Sequence, residues 1–381
     1  MKKALVLGLA RSGAAARDAL ERRGVEVVGA DRTLRNDGDV ALLAGVDVLV
    51  KSPGVPGENA LVVAARERAV PVWSEVELGY RLLGVRLAGV TGTNGKTTTA
   101  ELLGAMLGAR VAGNVGRPLT ALDGHVEPGE LVVCELSSFQ LEDVDELACE
   151  VAVLVNLEPD HLDRHRSFEA YRAAKLRIFE RAQTAVVPRG SGLPGVEFGP
   201  DDPLPAEPLI PGRHNRENAA AATAAARILG APDERIAAAL RAFPGVPHRL
   251  ELVAEHGGVR YVNDSKATNV SAALTGIAAY ASEPVHLILG GSHKGEDFAP
   301  LAAALGPNVK SVHLIGDTAD ELAAVLPRAT RAGDLATALA RIAAEPGDVV
   351  LLTPACASYD QFKDFEHRGE EFRRLVANLA R

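Results

Sequence analysis

Cysteine is scarce: Cys134, Cys149 and Cys356 are the only three in 381 residues. They are too few and too scattered for a disulfide framework or a CxxC metal site. Cys134 and Cys356 sit in apolar runs, where small core residues are the better reading than reactive thiols. Positive charge is also in deficit, with 41 Lys and Arg against 50 Asp and Glu for a net charge of −9. That balance argues against a duplex nucleic-acid partner, although a local basic site can still hold phosphate. No apolar stretch is long enough to span a bilayer, so no membrane insertion is expected. Met1-Lys2-Lys3 imitates the basic start of a signal peptide, but the apolar run behind it ends at Arg11 without a small-residue cleavage pattern. A soluble protein of the reducing cytoplasm is therefore expected. The length exceeds one ordinary core and predicts two or three domains.

Strict nucleotide-binding signatures are missing too, yet two near matches stand in their places. The first is Gly89-Val90-Thr91-Gly92-Thr93-Asn94-Gly95-Lys96-Thr97-Thr98-Thr99. The pattern G-x-x-x-x-G-K-[ST] fails because Val90 occupies the position of its first glycine. The physics of the stretch survives. Arg86-Leu87-Ala88 is apolar enough to finish a short strand, and Ala100 to Leu107 has apolar residues at helical spacing. A glycine-rich turn between them aims backbone N–H groups and a helix N-terminus at one point, which suits phosphate. Lys96 can reach terminal phosphates and the Thr97 hydroxyl can bind magnesium. A capped helix after a Gly-rich turn is the plainer alternative, but Lys96-Thr97 directly after Gly95 favours an ATP site. The form Gly92-Thr93-Asn94-Gly95-Lys96-Thr97 resembles the nucleotide loop of the Mur ligases, ATP-dependent enzymes that add amino acids to the peptidoglycan precursor.

The second near match opens the chain. Strand Ala4 to Leu9, the turn Gly8-Leu9-Ala10-Arg11-Ser12-Gly13 and a strand ending at Asp31 form a βαβ unit of the Rossmann kind. Ala10 replaces the middle glycine of G-x-G-x-x-G, and a plain helix start stands beside a dinucleotide site as a reading. A third strand, Val46 to Val50, runs into the rigid loop Lys51-Ser52-Pro53-Gly54-Val55-Pro56. The first domain is similar to that of the D-glutamate-adding Mur ligases. That resemblance implies that Arg11, Ser12, Asp31, Arg32 and Gly54, with Asn114 and Ser137 from the next domain, hold the uridine diphosphate part of the substrate.

In the second domain the strand Leu131 to Cys134 delivers Glu135, where a carboxylate can take an ATP-bound magnesium ion; an exposed strand-end acid is the alternative. The strand Val151 to Val155 delivers Asn156-Leu157-Glu158-Pro159-Asp160-His161. Its crowded acids and histidines fit a metal site or proton relay, but lack zinc's nitrogen and sulfur set; a solvated polar turn is the other reading. The helix Tyr171 to Phe179 is ordinary and amphipathic, and physics alone gives Lys175 no role. The family resemblance implies more. Two magnesium ions are expected, held by Thr97, Glu135, His161 and Lys175, the last carbamylated into an anion. Lys96, Glu135, His161 and Lys175 would form the catalytic set. ATP would touch Gly92, Thr93, Asn94, Gly95, Lys96, Thr97 and Thr98. Proline-rich 187–211 reads as short edge strands and loops. In Gly212-Arg213-His214-Asn215-Arg216-Glu217-Asn218, Asn218 is either an N-cap for an Ala-rich helix or, by the resemblance, a residue near adenine.

Phe243 to Arg249 looks like a domain boundary. Beyond it, strands at 259–262, 285–289, 312–315 and 349–352 alternate with helices near 318–326 and 334–344, which predicts a parallel sheet. Asp264-Ser265-Lys266-Ala267-Thr268-Asn269, Lys294 in a Gly-Gly loop, and Ala357-Ser358-Tyr359-Asp360-Gln361-Phe362 are similar to the D-glutamate-adding branch. The Asp-Asn-Pro-Arg signature of the diaminopimelate-adding branch is absent. By that pattern Thr268, Lys294, Ser358 and Phe365 surround D-glutamate, and Arg249 and Asp264 serve ATP; Tyr359 stands where an aliphatic residue is expected. The whole is an α/β chain of three domains. These are a Rossmann-like substrate domain (1–85), a P-loop-type ATPase domain (86–246) and a Rossmann-like amino-acid domain (247–381). The expected substrates are ATP, UDP-N-acetylmuramoyl-L-alanine and D-glutamate, handled by a monomer. Another Mur-type amino-acid ligase, a folylpolyglutamate-synthase-like enzyme and a nucleotide-switched binding protein are the alternatives.

Overall fold

The computed structural model describes residues 1–114, 116–210, 212–293, 295 and 297–379, with the backbone alone at 162 and 163. The described chain divides into two compact units, one of residues 1–209 and 213–243 and the other of the remainder. The first unit contains two sheets and the second unit one.

The N-terminal sheet consists of β1 (Lys3–Leu7), β2 (Glu26–Ala30), β3 (Val48–Lys51) and β4 (Val72–Ser74), all parallel, in the order β2-β1-β3-β4. Strands buried on both faces read as continuous apolar runs, which is why Ala4–Leu7 and Val48–Val50 were legible. The chain reverses its direction of winding between β1 and β3, and such switch points open a crevice at the strand carboxyl ends.

The central sheet has six parallel strands: β5 (Arg86–Thr91), β6 (Arg110–Gly113), β7 (Leu131–Glu135), β8 (Val151–Leu154), β9 (Thr184–Pro188) and β10 (Val196–Phe198). Their order is β10-β9-β8-β5-β7-β6, so the strand leading to the glycine loop lies between the strands that deliver Glu135 and Asn156. The proline-rich stretch supplies the edge strand β10, as expected. Helix Arg213–Ile228 begins earlier than its alanine run suggested, so Asn218 lies inside it and the N-cap reading fails. Its buried alanines let it lie closely on helix Lys96–Leu107.

A buried carboxyl joins the two sheets of this unit. Glu75, at the start of helix Glu75–Leu83, accepts the backbone N–H and hydroxyl of Thr120, both at 2.6 Å. Its other oxygen has no hydrogen-bond partner, and burial pushes its pKa up to about 7 despite the help of Thr120. The folded state then keeps a proton that the unfolded chain has released between about pH 4.5 and 7. Stability should fall as pH rises through that window. Relative to Glu75→Gln, the wild type should lose on the order of 3 kcal/mol between pH 4.5 and 8. Urea unfolding of both proteins at the two pH values checks this; parallel pH dependences would contradict it.

The second unit carries β11 (Glu251–His256), β12 (Val259–Asn263), β13 (Val285–Gly290), β14 (Val309–Ile315), β15 (Thr330–Gly333) and β16 (Val349–Leu352), in the order β11-β12-β16-β13-β14-β15. The expected parallel sheet needs one correction: β11 is antiparallel to β12. A hairpin through Gly257 and Gly258 connects them, and β11 has polar residues scattered through it, so its alternation is weak. All three cysteines are free and buried.

Candidate functional site

Six of the seven residues assigned to the UDP part line one cleft of about 430 Å³ at the N-terminal switch point: Arg11, Ser12, Asp31, Arg32, Gly54 and Asn114. The turn after β1 is fixed by chemistry rather than by a second glycine. Ala10 sits at φ −69°, a conformation open to any residue, which accounts for its replacing glycine. Gly13 cannot vary, since a Cβ there would stand 1.8 Å from the carbonyl oxygen of Gly8. Asp31 holds the turn by accepting the Leu9 N–H at 2.7 Å, and also accepts the N–H and hydroxyl of Thr33. The Leu9 and Thr33 donors keep its carboxyl below the usual range. Ser137 is not in this cleft wall. It caps helix Ser138–Leu141 in a reciprocal box with Gln140.

The glycine loop between β5 and helix Lys96–Leu107 is held from three sides. Asn156, from the end of β8, accepts the N–H groups of Thr93 and Asn94 at 3.0 and 2.8 Å. The Thr93 hydroxyl lies 3.0 Å from the Tyr171 hydroxyl and bonds to Glu158. Gly95 has φ +77°, and a Cβ there would stand 2.1 Å from Oδ1 of Asn218. That contact places Asn218 against the loop. Thr97 and Thr98 are buried in the first helical turn.

Two amines converge on the loop. Nζ of Lys96 donates to the carbonyls of Gly92 and Thr93 at 2.9 and 2.8 Å, and Nζ of Lys175 donates to the same Gly92 carbonyl at 2.7 Å. Lys175 is only 2% exposed. Burial, reinforced by the Lys96 charge, pushes its ammonium down to about 6, against the opposing pull of Asp160 and Glu135. The carboxylate of Glu135, at the end of the neighbouring strand β7, accepts from Asn114 at 3.0 Å. Asn114 thus touches both the N-terminal cleft and the central sheet. His161 adopts φ +51°, with its ring 5.0 Å from Phe139 and 6.3 Å from Tyr171, whose ring in turn lies 4.8 Å from Nζ of Lys175. Lys96, Glu135, His161 and Lys175 are therefore gathered at one end of one sheet.

In the second unit, Asp264, Thr268, Ser358 and Phe365 follow the ends of β12 and β16. Burial pushes the Asp264 carboxyl up to about 7, opposed by the Arg249 charge and by the Thr353 hydroxyl at 3.0 Å. Arg249 lies between two non-glycine residues of positive φ, His248 and Leu250. Lys294 lies outside the described residues. A residue that the sequence did not single out organises these loops. The guanidinium of Arg368, fully buried, donates to Ser265 Oγ and O, Ala357 O and Cys356 O at 2.9–3.1 Å. Burial lowers its pKa to about 10. Nothing local marks Arg368 among the charged residues of helix Phe365–Leu379. Asn156 and Tyr171 were also missed as loop supports, though the position of Asn156 at a strand end was a usable signal.

No helix among the described residues is long and apolar enough to cross a membrane. Also among them, no group of three or more His, Cys, Asp or Glu is placed to hold a metal ion.

Residues 90–192 match the model of the Mur ligase middle domain, and residues 248–356 that of the Mur ligase glutamate ligase domain. A UDP-N-acetylmuramoylalanine–D-glutamate ligase from Anaeromyxobacter dehalogenans is 44% identical, covering 99% of this chain and 97% of its own. One from Rubrobacter xylanophilus is 41% identical over 99% and 98%. Among solved structures, UDP-N-acetylmuramate-alanine ligase MurC from Thermotoga maritima superposes with TM-score 0.63 at 18% identity, covering the whole of both chains. MurF ligase from the same organism, in complex with ADP, gives 0.60 at 19%, covering 100% of this chain and 96% of that one. These two likenesses speak to the fold. With the D-glutamate ligases matched over nearly their full length and both domain models in sequence order, the chain belongs to the Mur ligase family.

Proposed function

We propose that this chain is an ATP-dependent ligase that joins D-glutamate to UDP-N-acetylmuramoyl-L-alanine in the making of the peptidoglycan precursor. The observation that carries the choice of substrates is the 38–44% identity to D-glutamate ligases along 98–99% of the chain. Residues 1–85 bind the UDP-linked substrate, 86–246 bind ATP and 247–381 bind the amino acid, in a cytoplasmic monomer. ATP phosphorylates the terminal carboxylate of the UDP-linked substrate, giving an acyl phosphate and ADP. The D-glutamate amine attacks the carbonyl, loses a proton and displaces phosphate through a tetrahedral intermediate, leaving the amide.

The chain's part in this is positioning and charge compensation. The loop N–H groups and Lys96 receive the phosphates, Asn218 flanks the adenine, and Arg249 and Asp264 also serve ATP. Thr268, Lys294, Ser358 and Phe365 receive D-glutamate, while the N-terminal cleft with Ser137 receives the UDP part. Magnesium would neutralise the transferring phosphoryl group. The donor set fits that ion, because magnesium keeps several waters and needs only one or two carboxylates beside the phosphates. Glu135, Thr97, His161 and a carbamylated Lys175 would hold two such ions among them. The protonated lysine would repel a cation. Its depressed pKa supplies the neutral amine, which would attack carbon dioxide and release a proton, and the product would be a carbamate anion near Lys96.

An isotope experiment tests the reaction. With ¹⁸O in the L-alanyl carboxylate, one labelled oxygen should appear in the released phosphate, and only when ATP and D-glutamate are both present. Unlabelled phosphate would contradict the acyl-phosphate route.

A further inference from the structure

A polar bridge joins the N-terminal cleft to the His161 turn, and none of the assigned roles uses it. Arg164 follows His161 by one turn, and its backbone N–H donates to the His161 carbonyl at 3.1 Å. Its Nη2 donates to the carbonyl of Val55, a wall of the cleft, at 2.8 Å. The guanidinium carbon lies 4.7 Å from the centre of the Phe139 ring, which in turn packs on His161 at 5.0 Å and stacks on His165 at 5.4 Å. Glu142 braces the assembly. Its Oε2 lies 3.6 Å from both Arg164 Nη2 and Lys51 Nζ, and its Oε1 lies 3.3 Å from Nδ1 of His165. Lys51, with its side chain wholly buried, anchors the start of the cleft loop on Asp143 at 2.8 Å.

A guanidinium suits this position. One edge makes a directional bond to a loop carbonyl while its flat face rests on an aromatic ring, so a displacement of the carbonyl shifts the ring contact as well; a lysine offers neither geometry. The Arg164 side chain is only 16% exposed, so water competes little for these contacts. We propose that Arg164 is a positioning residue that couples the two substrate sites. A ligand that settles the Val55 loop steadies the His161 turn, and a nucleotide with magnesium beside that turn tightens the cleft. By linkage, each ligand must raise the affinity of the other by the same factor. The inference rests on the assignment of the cleft to the UDP substrate and of the glycine loop to ATP.

Calorimetric titration of the full chain with UDP, with and without AMP-PNP and magnesium, and the reverse titration, tests it in the wild type, Arg164→Ala and Arg164→Lys. The wild type should show a coupling of about fivefold or more, equal in both directions. Both variants should bind each ligand alone within about threefold of wild type while the coupling falls below about twofold. Variants that keep the wild-type coupling overturn the proposal, as does a wild type that binds both ligands without coupling. Loss of both single-ligand affinities in both variants would mark a merely structural role and also overturn it. A wild type that binds neither ligand would instead overturn the assignment of the two sites.

Discussion

Lys175→Ala should lose ligase turnover by roughly 10²–10³-fold, the usual cost of removing one group that stabilises a transferring charge, and regain part of it when formate or acetate is added. The expectation follows from where the amine sits. It is almost wholly buried, shares the Gly92 carbonyl with Lys96 and has a pKa of about 6. As a cation it would oppose both Lys96 and magnesium. As a carbamate it would offset them, and a small carboxylate entering the cavity left by alanine would restore that negative charge. The pH dependence has a definite sign. Below about pH 6 the protonated amine predominates and carbamate formation is suppressed, so activity should fall with acid and be partly restored by added bicarbonate. Above it the neutral amine predominates and the carbamate can form. Steady-state rates of the variant with and without formate check the prediction; full activity without any addition would remove Lys175 from the site.

Lys96→Ala should abolish measurable turnover, a loss of about 10³-fold or more, while leaving a folded protein. Its amine donates to the loop carbonyls of Gly92 and Thr93 at 2.9 and 2.8 Å. The loop shape rests instead on Gly95, Asn156 and Thr93. Removing the amine also takes a positive charge away from Lys175, so the pKa of Lys175 should rise in this variant. Rate measurements with a thermal melt separate catalysis from folding. Near-normal turnover would overturn the assignment of the ATP loop.

The readable parts of this chain were those where chemistry is local. The glycine loop announces itself because a strand, a turn that needs positive φ and a helix must follow one another within a few residues. Gly95 shows the constraint directly, with Asn218 filling the space of its missing side chain. Buried parallel strands such as Val48–Lys51 and Val349–Leu352 are legible as unbroken apolar runs. What local pattern could not give is whatever depends on distant partners. The cap alternative for Asn218 stayed open in the sequence because nothing local says that the helix starts at Arg213. Strand β11 was missed because its pairing with β12, not its composition, makes it a strand. Arg368 resembles any surface arginine until the turns after β12 and β16 surround it. Lys175 is the sharpest case: its helix is ordinary in sequence, and only burial beside Lys96 perturbs its amine.

The assigned reaction is the ATP-driven addition of D-glutamate to UDP-N-acetylmuramoyl-L-alanine. ADP release in the presence of that acceptor, compared among D-glutamate, L-glutamate, meso-diaminopimelate and L-alanine, tests it most directly. Release should require both substrates and be confined to D-glutamate. Release with another of these amino acids, or none with any, would contradict it.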